Sequence, residues 1–142
     1  MDTDQGKKIL AENIKEANAQ ITAHLNISKV KAYEPYLESI FYNLLSNAIK
    51  YHDKNRRLQI DISAIAEQHE VVLIISDNGL GIDLSKSSGK IFGLYQRFHD
   101  HIGGKGLGLY LVKTQVESMG GHIEISSTPG QGTTFKIMLP VQ

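Results

Sequence analysis

The sequence has 142 residues, of which 41% are hydrophobic, and its 15 basic residues balance 15 acidic ones. This suits one globular domain, and the neutral net charge provides no overall field to recruit nucleic acid or an anionic membrane. Cysteine is absent, which excludes disulfides and thiolate chemistry and fits a reducing compartment. The longest apolar run, residues 71–75, is too short to cross a bilayer, and the N-terminus lacks a signal-peptide core. We therefore expect a soluble domain, which could be the cytoplasmic end of a larger protein.

The first half of the chain alternates between helical and strand patterns. Apolar spacing predicts a helix over residues 7–20, and the β-favouring segments ITAHLNI and VKAY predict a strand and then a brief strand. Pro35 fits the first turn of a second helix, which we expect to end near the polar turn HDKNRR. Alternating apolar residues from Leu58 to Ala64 then predict a half-buried strand.

The second half contains an apolar strand, a long polar segment, a helix and a hairpin. VVLIIS is apolar on both faces, so we expect it at the centre of a sheet. Residues 83–105 show no consistent period, and loops of that length are usually functional or disordered. GLGLYLVKTQVESMGG predicts a helix closed by glycines, and IEIS, TPGQG and TFKIML predict a terminal hairpin. Three helices and about five strands predict a two-layer α+β sandwich.

One face of the second predicted helix carries Asn43, Asn47, Lys50 and Tyr51, at positions i, i+4, i+7 and i+8. A solvated polar stripe is the simple interpretation. However, such stripes are usually Glu and Lys, whereas asparagine lowers helix propensity. Uncharged amide oxygens one turn apart suit a hard cation such as Mg²⁺, and Lys50 would then face phosphates. This helix alone does not decide between the two interpretations.

Two glycine-bearing segments are candidates for binding other parts of a ligand. In DNGLGID, Asp77 could accept a hydrogen bond from the exocyclic amine of a base while Gly79 and Gly81 let the backbone pass beneath the ring. An ordinary Asp-Asn-Gly turn is the alternative. GGKGLGLYL runs from a glycine-rich loop into a helix, where backbone N–H groups attract an anion. It matches neither the dinucleotide fingerprint nor the P-loop, so a flexible linker is its alternative.

Five short motifs occur in a fixed order along the chain. NLLSNAIKY (43–51), DNGLGI (77–82), IFGLYQRF (91–98), GKGLGL (104–109) and PGQGTTF (129–135) resemble the N box, first glycine box, F box, second glycine box and last glycine turn of sensor histidine kinases. The resemblance is to their catalytic ATP-binding domain and covers the chain from about Ile21 onward. It implies a Bergerat-type fold, also found in gyrase, heat-shock chaperone and mismatch-repair ATPases. Such a fold has a mixed, mostly antiparallel sheet of about five strands covered on one face by three helices.

The resemblance implies roles for individual residues. Asn47 would be a Mg²⁺ ligand with Asn43 beside it, and Asp77 would read adenine. Asn43 stands where related ATPases carry a glutamate that activates water, and because an amide cannot be that base, phosphoryl transfer is favoured over hydrolysis. The implied catalytic set is Asn43, Lys50 and Arg97, the last being the lid arginine that approaches the γ-phosphate. The implied nucleotide contacts are Asn47, Tyr51, Asp77, Gly79, Gly81, Ile82, Phe92, Lys105, Gly106, Leu107, Gly108, Leu109 and Thr134.

The resemblance also implies partners that lie outside the sequence. The family's phosphoacceptor histidine belongs to an upstream helical hairpin, and no histidine here matches it. We expect residues 1–20 to be the C-terminal end of that hairpin or a linker helix, and residues 21–142 to be the catalytic domain. The partners expected are ATP, the histidine-bearing hairpin of a homodimeric parent kinase and the receiver domain of a response regulator. No contact with nucleic acid or membrane is expected, and the location would be cytoplasmic, with the parent protein either soluble or membrane-anchored.

The function that follows is transfer of the γ-phosphate of Mg²⁺-ATP to a histidine on that hairpin, for signalling to a response regulator. Two alternatives stay open, namely a noncatalytic nucleotide-binding regulatory module and a serine kinase of the same fold. The presence of Asn43, Asn47, Asp77 and Arg97 together weighs against a degenerate pseudokinase.

Overall fold

The computed structural model describes residues 19–26, 33–67, 69–84 and 108–140. These residues form β1 (Gln20–Asn26), α1 (Glu34–Lys50), β2 (Gln59–Glu67), β3 (Glu70–Asp77), α2 (Gly108–Ser118), β4 (His122–Thr128) and β5 (Gly132–Pro140). The strands make one sheet in the order β1-β2-β3-β5-β4. Only the β1–β2 pair among them is parallel. The mixed, mostly antiparallel sheet and the central position expected for VVLIIS are therefore confirmed.

The core lies between one face of this sheet and the two helices. Along β3, Val71, Leu73 and Ile75 point to that face because successive side chains of a strand alternate. On α1, Ile40, Leu44 and Ala48 recur at helical spacing on the side that meets them. The buried cluster consists of Ile40, Leu44, Ala48, Leu58, Ile60, Ile62, Ala64, Val71, Leu73, Ile75, Leu109, Val112, Val116, Phe135, Ile137 and Leu139. The asparagines of α1 lie beside this buried stripe, where both Asn43 and Asn47 are half-buried.

Helix α1 begins as the sequence predicted. Tyr33 has an extended backbone and precedes the helix, and proline lies in the first turn, where its missing N–H costs no helical hydrogen bond. The helix ends at Lys50, and the Tyr51 N–H still donates to the Asn47 carbonyl at 2.9 Å. This last turn brings the Tyr51 carbonyl to the loop that follows β3.

Several expectations fall largely on residues outside those described. Of the helix predicted over residues 7–20, only Ala19 and Gln20 are described, and Gln20 begins β1, so a strand starts where the helix was expected to end. The described residues contain two helices, and a third is not confirmed. Most of VKAY and nearly all of the segment without a consistent period, residues 83–105, also lie outside the described ranges. Neither described helix is long and apolar enough to cross a membrane.

Substituting Leu44 tests this packing, because the Leu44 side chain is 1% exposed and lies within the buried cluster. Leu44→Ala should lower the free energy of unfolding by about 2–5 kcal/mol, since the lost burial leaves a cavity. Leu111→Ala, at a leucine of α2 that is 41% exposed, is the matched control and should change it by less than about 0.5 kcal/mol. Urea denaturation measures both. Equal effects of the two substitutions would contradict the core described here.

Candidate functional site

Asp77 is the last residue of the central strand β3, and the loop that follows it contacts the end of α1 and the β4–β5 turn. Asp77 is paired with Thr133 in the sheet register, and its Oδ1 accepts the Gly79 N–H at 2.8 Å. Burial raises the pKa of the Asp77 carboxyl above its ordinary value, although hydrogen bonds from the Gly79 and Thr133 backbone oppose the rise. The carboxylate is therefore held in a defined orientation in a partly desolvated place, where a ligand donor would be a favourable partner.

The two glycines after Asp77 are required by close packing. A Cβ added at Gly79 would lie 2.8 Å from the Tyr51 carbonyl oxygen and 2.9 Å from Asp77 Oδ1. Gly81 has φ +74°, and a Cβ there would lie 2.1 Å from the Thr128 carbonyl oxygen. A side chain at either position would displace backbone or the carboxylate, and at Gly81 it would also be strained. The glycines thus let the loop lie directly against α1 and the hairpin.

The polar face of α1 meets the start of α2. Asn43 Nδ2 donates to the Ser39 carbonyl at 2.8 Å, which fixes the amide on the helix. A Cβ added at Gly108, the first residue of α2, would lie 3.2 Å from Asn43 Oδ1, so the amide oxygen faces that helix terminus. Asn47 lies one turn further along α1 and is half-buried. An amide oxygen and a helix N-terminus therefore converge at one place.

The C-terminal end of α1 adds a cation and an aromatic ring. Lys50 is exposed, and its Nζ lies 5.5 Å from the centroid of the Tyr51 ring, within the range of a cation–π contact. The Tyr51 carbonyl accepts the Leu80 N–H at 2.9 Å. The helix carrying the asparagines is therefore joined directly to the loop carrying Asp77.

The remaining predicted residues divide into three groups. The Ile82 N–H donates to Ser127 Oγ at 2.8 Å, which places Ile82 beside the hairpin. Leu109 is buried in the core cluster, so a ligand contact from it would come from its backbone. Another group lies outside the described residues: Phe92, Arg97, Lys105, Gly106 and Leu107.

The pleat of β5 corrects one predicted residue. Thr134 Oγ1 lies 2.7 Å from Ser76 Oγ, and Ser76 points to the face opposite that of its neighbour Asp77. Thr133 is paired with Asp77, is buried, and has its Oγ1 2.9 Å from Ser127 Oγ. Thr133 therefore lies on the Asp77 side of the sheet and replaces Thr134 in the candidate site.

Two residues that the sequence interpretation overlooked hold the loop after β3. The Arg56 guanidinium donates to three backbone carbonyls, those of Asn78 (2.7 Å), Gly79 (2.8 Å) and Gly130 (2.7 Å). The Asn78 side chain accepts the Gln59 N–H at 2.8 Å and donates to the Arg57 carbonyl at 3.0 Å. Asn78 belongs to the turn motif DNGLGID, which could have drawn attention to it. Arg56 is one of several basic residues in a polar turn, and the carbonyls that it binds are distant in the sequence.

The sequence and fold of this chain are similar to those of known histidine kinases. The circadian input-output histidine kinase CikA of Synechococcus elongatus is 39% identical over 110 residues, which are 75% of this chain and 14% of CikA. The mycobacterial sensor histidine kinase MprB has the same fold, with a TM-score of 0.78 at 20% identity over 96% of this chain and 95% of the MprB chain. Full-length ShkA in complex with AMPPNP gives a TM-score of 0.79 at 23% identity, covering 98% of this chain and 29% of ShkA.

The sandwich fold is the one found in the MprB and ShkA chains. Residues 32–142 match the model of the histidine kinase-, DNA gyrase B- and HSP90-like ATPases, and the chain belongs to that family. It is a catalytic domain of the histidine-kinase type, homologous to sensor kinases such as CikA and WalK. The chain spans between 14% and 18% of the length of the curated relatives it matches.

The partly buried Asp77 carboxyl makes the free energy of unfolding depend on pH. The pKa of Asp77 is raised in the folded chain, so its contribution to stability is full below the ordinary carboxyl pKa of about 4 and is lost as pH rises through the folded value. Asp77→Asn keeps an acceptor oxygen without the charge, so it should raise Tm at pH 7, and the gain should shrink toward pH 4 or below. Thermal unfolding between about pH 4 and pH 8 measures this. Asp61→Asn, at an exposed strand position, is the control, and a pH-independent gain for Asp77→Asn would contradict the assignment.

Proposed function

We propose that this domain binds Mg²⁺-ATP and transfers its γ-phosphate to a histidine on a helical hairpin of a parent sensor kinase. The phosphoryl group would then pass to the receiver domain of a response regulator. The observation that carries the proposal is the juxtaposition of a fixed, partly desolvated carboxylate with the amide-bearing face of α1, in a chain of this ATPase family. The ShkA complex with AMPPNP shows that a chain containing this fold can hold an ATP analogue.

The loop after β3 would recognise the base. A carboxylate accepts a hydrogen bond from the 6-amino group of adenine, whereas the 6-carbonyl of guanine offers no proton at that position. Gly79 and Gly81 let the loop pack closely against Tyr51 and Thr128, and the base ring is assigned to this backbone from the motif positions. Burial of the Asp77 carboxyl without a strong donor is costly, and a bound amine would offset that cost.

The face of α1 would serve the phosphates. The amide oxygens of Asn43 and Asn47 fit Mg²⁺, which prefers oxygen ligands and would neutralise phosphate charge when bound. The N-terminus of α2 at Gly108 and the exposed Lys50 would add positive potential. Arg97 and Lys105 are assigned to the same phosphates from their motif positions.

Asn43 favours transfer over hydrolysis. Its Nδ2 is committed to the Ser39 carbonyl, and an amide has no basic atom with which to deprotonate water. The proposed reaction instead forms a bond between the γ-phosphorus and a histidine nitrogen while the bond to the ADP oxygen breaks. The acceptor imidazole gives up its proton to solvent or to a base on its own domain.

The setting proposed for the domain follows from the same function. Residues 1–20 would continue the acceptor hairpin or a linker helix, and residues 21–142 would form the catalytic unit in a homodimeric parent kinase. Mg²⁺-ATP is cytoplasmic, and the domain would therefore act there, without nucleic acid or membrane as a ligand.

Asn47→Ala should remove the magnesium-dependent part of ATP affinity. Alanine is the stronger helix former, so α1 should persist, and the loss of one oxygen ligand should weaken Mg²⁺-ATP binding by about tenfold or more, roughly 1.4 kcal/mol. Titration calorimetry with Mg²⁺ and with EDTA separates the two contributions. Asn55→Ala, in the exposed turn after α1, is the matched control. Identical magnesium dependence in all three proteins would remove Asn47 from the metal site.

Transfer to an acceptor distinguishes the kinase from its alternatives. With labelled ATP and the histidine-bearing hairpin of a cognate kinase, the hairpin should gain acid-labile, alkali-stable label, and this chain should gain none. Arg97→Ala should lower the transfer rate by about tenfold or more while ADP binding changes much less. Acid-stable label would indicate the serine kinase. Bound ATP without transfer to a cognate hairpin would indicate the noncatalytic module.

A further inference from the structure

The Arg56 side chain lies in the turn between α1 and β2 and joins three separate segments of the molecule. Its Nε donates to the Asn78 carbonyl, and its Nη2 donates to the carbonyls of Gly79 and Gly130. The bonded residues are 22, 23 and 74 positions away in the sequence. A planar guanidinium carries its donors on separate nitrogens in a fixed fork, whereas an ammonium group has all three donors on one nitrogen.

These contacts complete the hydrogen bonding of the loop after β3. The Gly79 N–H donates to Asp77 Oδ1 at 2.8 Å. The Leu80 N–H donates to the Tyr51 carbonyl at 2.9 Å, and the Leu80 carbonyl accepts the Gly130 N–H at 2.7 Å. The Arg56 side chain donates hydrogen bonds to the two remaining carbonyls at the start of the loop, those of Asn78 and Gly79. Arg56 therefore sets the peptide plane that carries the N–H bonded to Asp77.

The arginine is itself held by a short turn. The Arg56 N–H donates to the Asp53 carbonyl at 3.3 Å, and Asp53 Oδ1 accepts the Asn55 N–H at 2.9 Å. The Asp53 carboxylate lies 3.9 Å from Arg56 Nη2. The Arg56 side chain is 38% exposed, so water could solvate the three carbonyls if the guanidinium were removed. Loss of Arg56 should therefore loosen the loop without unfolding the domain.

We propose that Arg56 is a positioning residue for base recognition. It fixes the peptides from Asn78 to Leu80 against α1 and the β4–β5 turn, and thereby keeps the Asp77 carboxylate aimed at the base. This inference rests on the proposed binding of ATP with adenine at Asp77. Loss of Arg56 should then reduce the preference for adenine over guanine. A residue that contributes only to overall stability would leave that preference unchanged.

The test compares Arg56→Ala, Arg56→Lys and Lys54→Ala, the last removing an exposed cation from the same turn. Calorimetry measures the Kd values for ADP and GDP, and thermal unfolding measures Tm. NMR measures the exchange of the Gly79 amide hydrogen. For Arg56→Ala we expect ADP affinity to fall about tenfold and the preference for ADP over GDP to fall at least about threefold. Gly79 exchange in the nucleotide-free chain should accelerate by about tenfold or more. Arg56→Lys should be intermediate, and Lys54→Ala should match the wild type.

Two results would overturn the role of Arg56. One is an unchanged ADP-to-GDP preference with unchanged Gly79 exchange in Arg56→Ala. The other is an equal loss of ADP and GDP affinity accompanied by loss of cooperative unfolding, which would show a general structural role. If the wild-type chain binds neither nucleotide, the proposed function fails. Gly79 exchange then still decides whether Arg56 holds the loop.

Discussion

The site depends on how the three residues after β3, Asn78 to Leu80, satisfy their backbone hydrogen bonds. The chain leaves the sheet at Asp77, and the partners of these N–H and carbonyl groups lie on β2, on Asp77 itself, at the end of α1, on Arg56 and in the β4–β5 turn. Gly79 bonds back to the Asp77 carboxylate, Leu80 bonds to the end of α1, and Arg56 takes two carbonyls. Because buried or partly buried backbone groups are costly to leave unpaired, this network determines one loop conformation. The helix that carries the asparagines is thereby fixed relative to the carboxylate.

The same network explains why the site carries an energetic cost in the absence of ligand. Asp77 is partly desolvated, and its two backbone hydrogen bonds only partly compensate, so burial still raises its pKa. We expect a neutral side chain at this position to make a more stable domain. In the proposed function a ligand donor completes the hydrogen bonding of the carboxylate, so the stability lost at Asp77 would be recovered as affinity and as discrimination between bases.

The parts of this fold that periodicity specifies could be predicted from the sequence. The two-sided apolar pattern of VVLIIS identified the central strand, and the proline with the apolar spacing after it identified α1. The glycines of DNGLGID were predicted to let the backbone pass beneath a base; the structure shows that they let it pack against Tyr51 and Thr128, and the contact with a base stays a prediction. Each of these features is encoded within a short window of the chain.

Features that depend on distant contacts could not be predicted in this way. Which of two adjacent threonines faces Asp77 depends on the β3–β5 register, so the sequence interpretation chose Thr134 where the pleat presents Thr133. The role of Arg56 depends on carbonyls as far as 74 residues away, and nothing in its neighbourhood distinguishes it from Arg57. Both results depend on pairing between segments that are distant in the sequence, which the motif positions alone do not specify.

The most direct measurement of the central claim is a crystal structure of this chain with Mg²⁺ and AMPPNP. We expect the adenine 6-amino group to be hydrogen-bonded to the Asp77 carboxylate, with the ring over the backbone at Gly79 and Gly81. The metal should lie on an Asn47 oxygen, at the face of α1 that meets α2. A nucleotide bound with its base away from Asp77, or with its metal away from α1, would show that the proposed site is wrong.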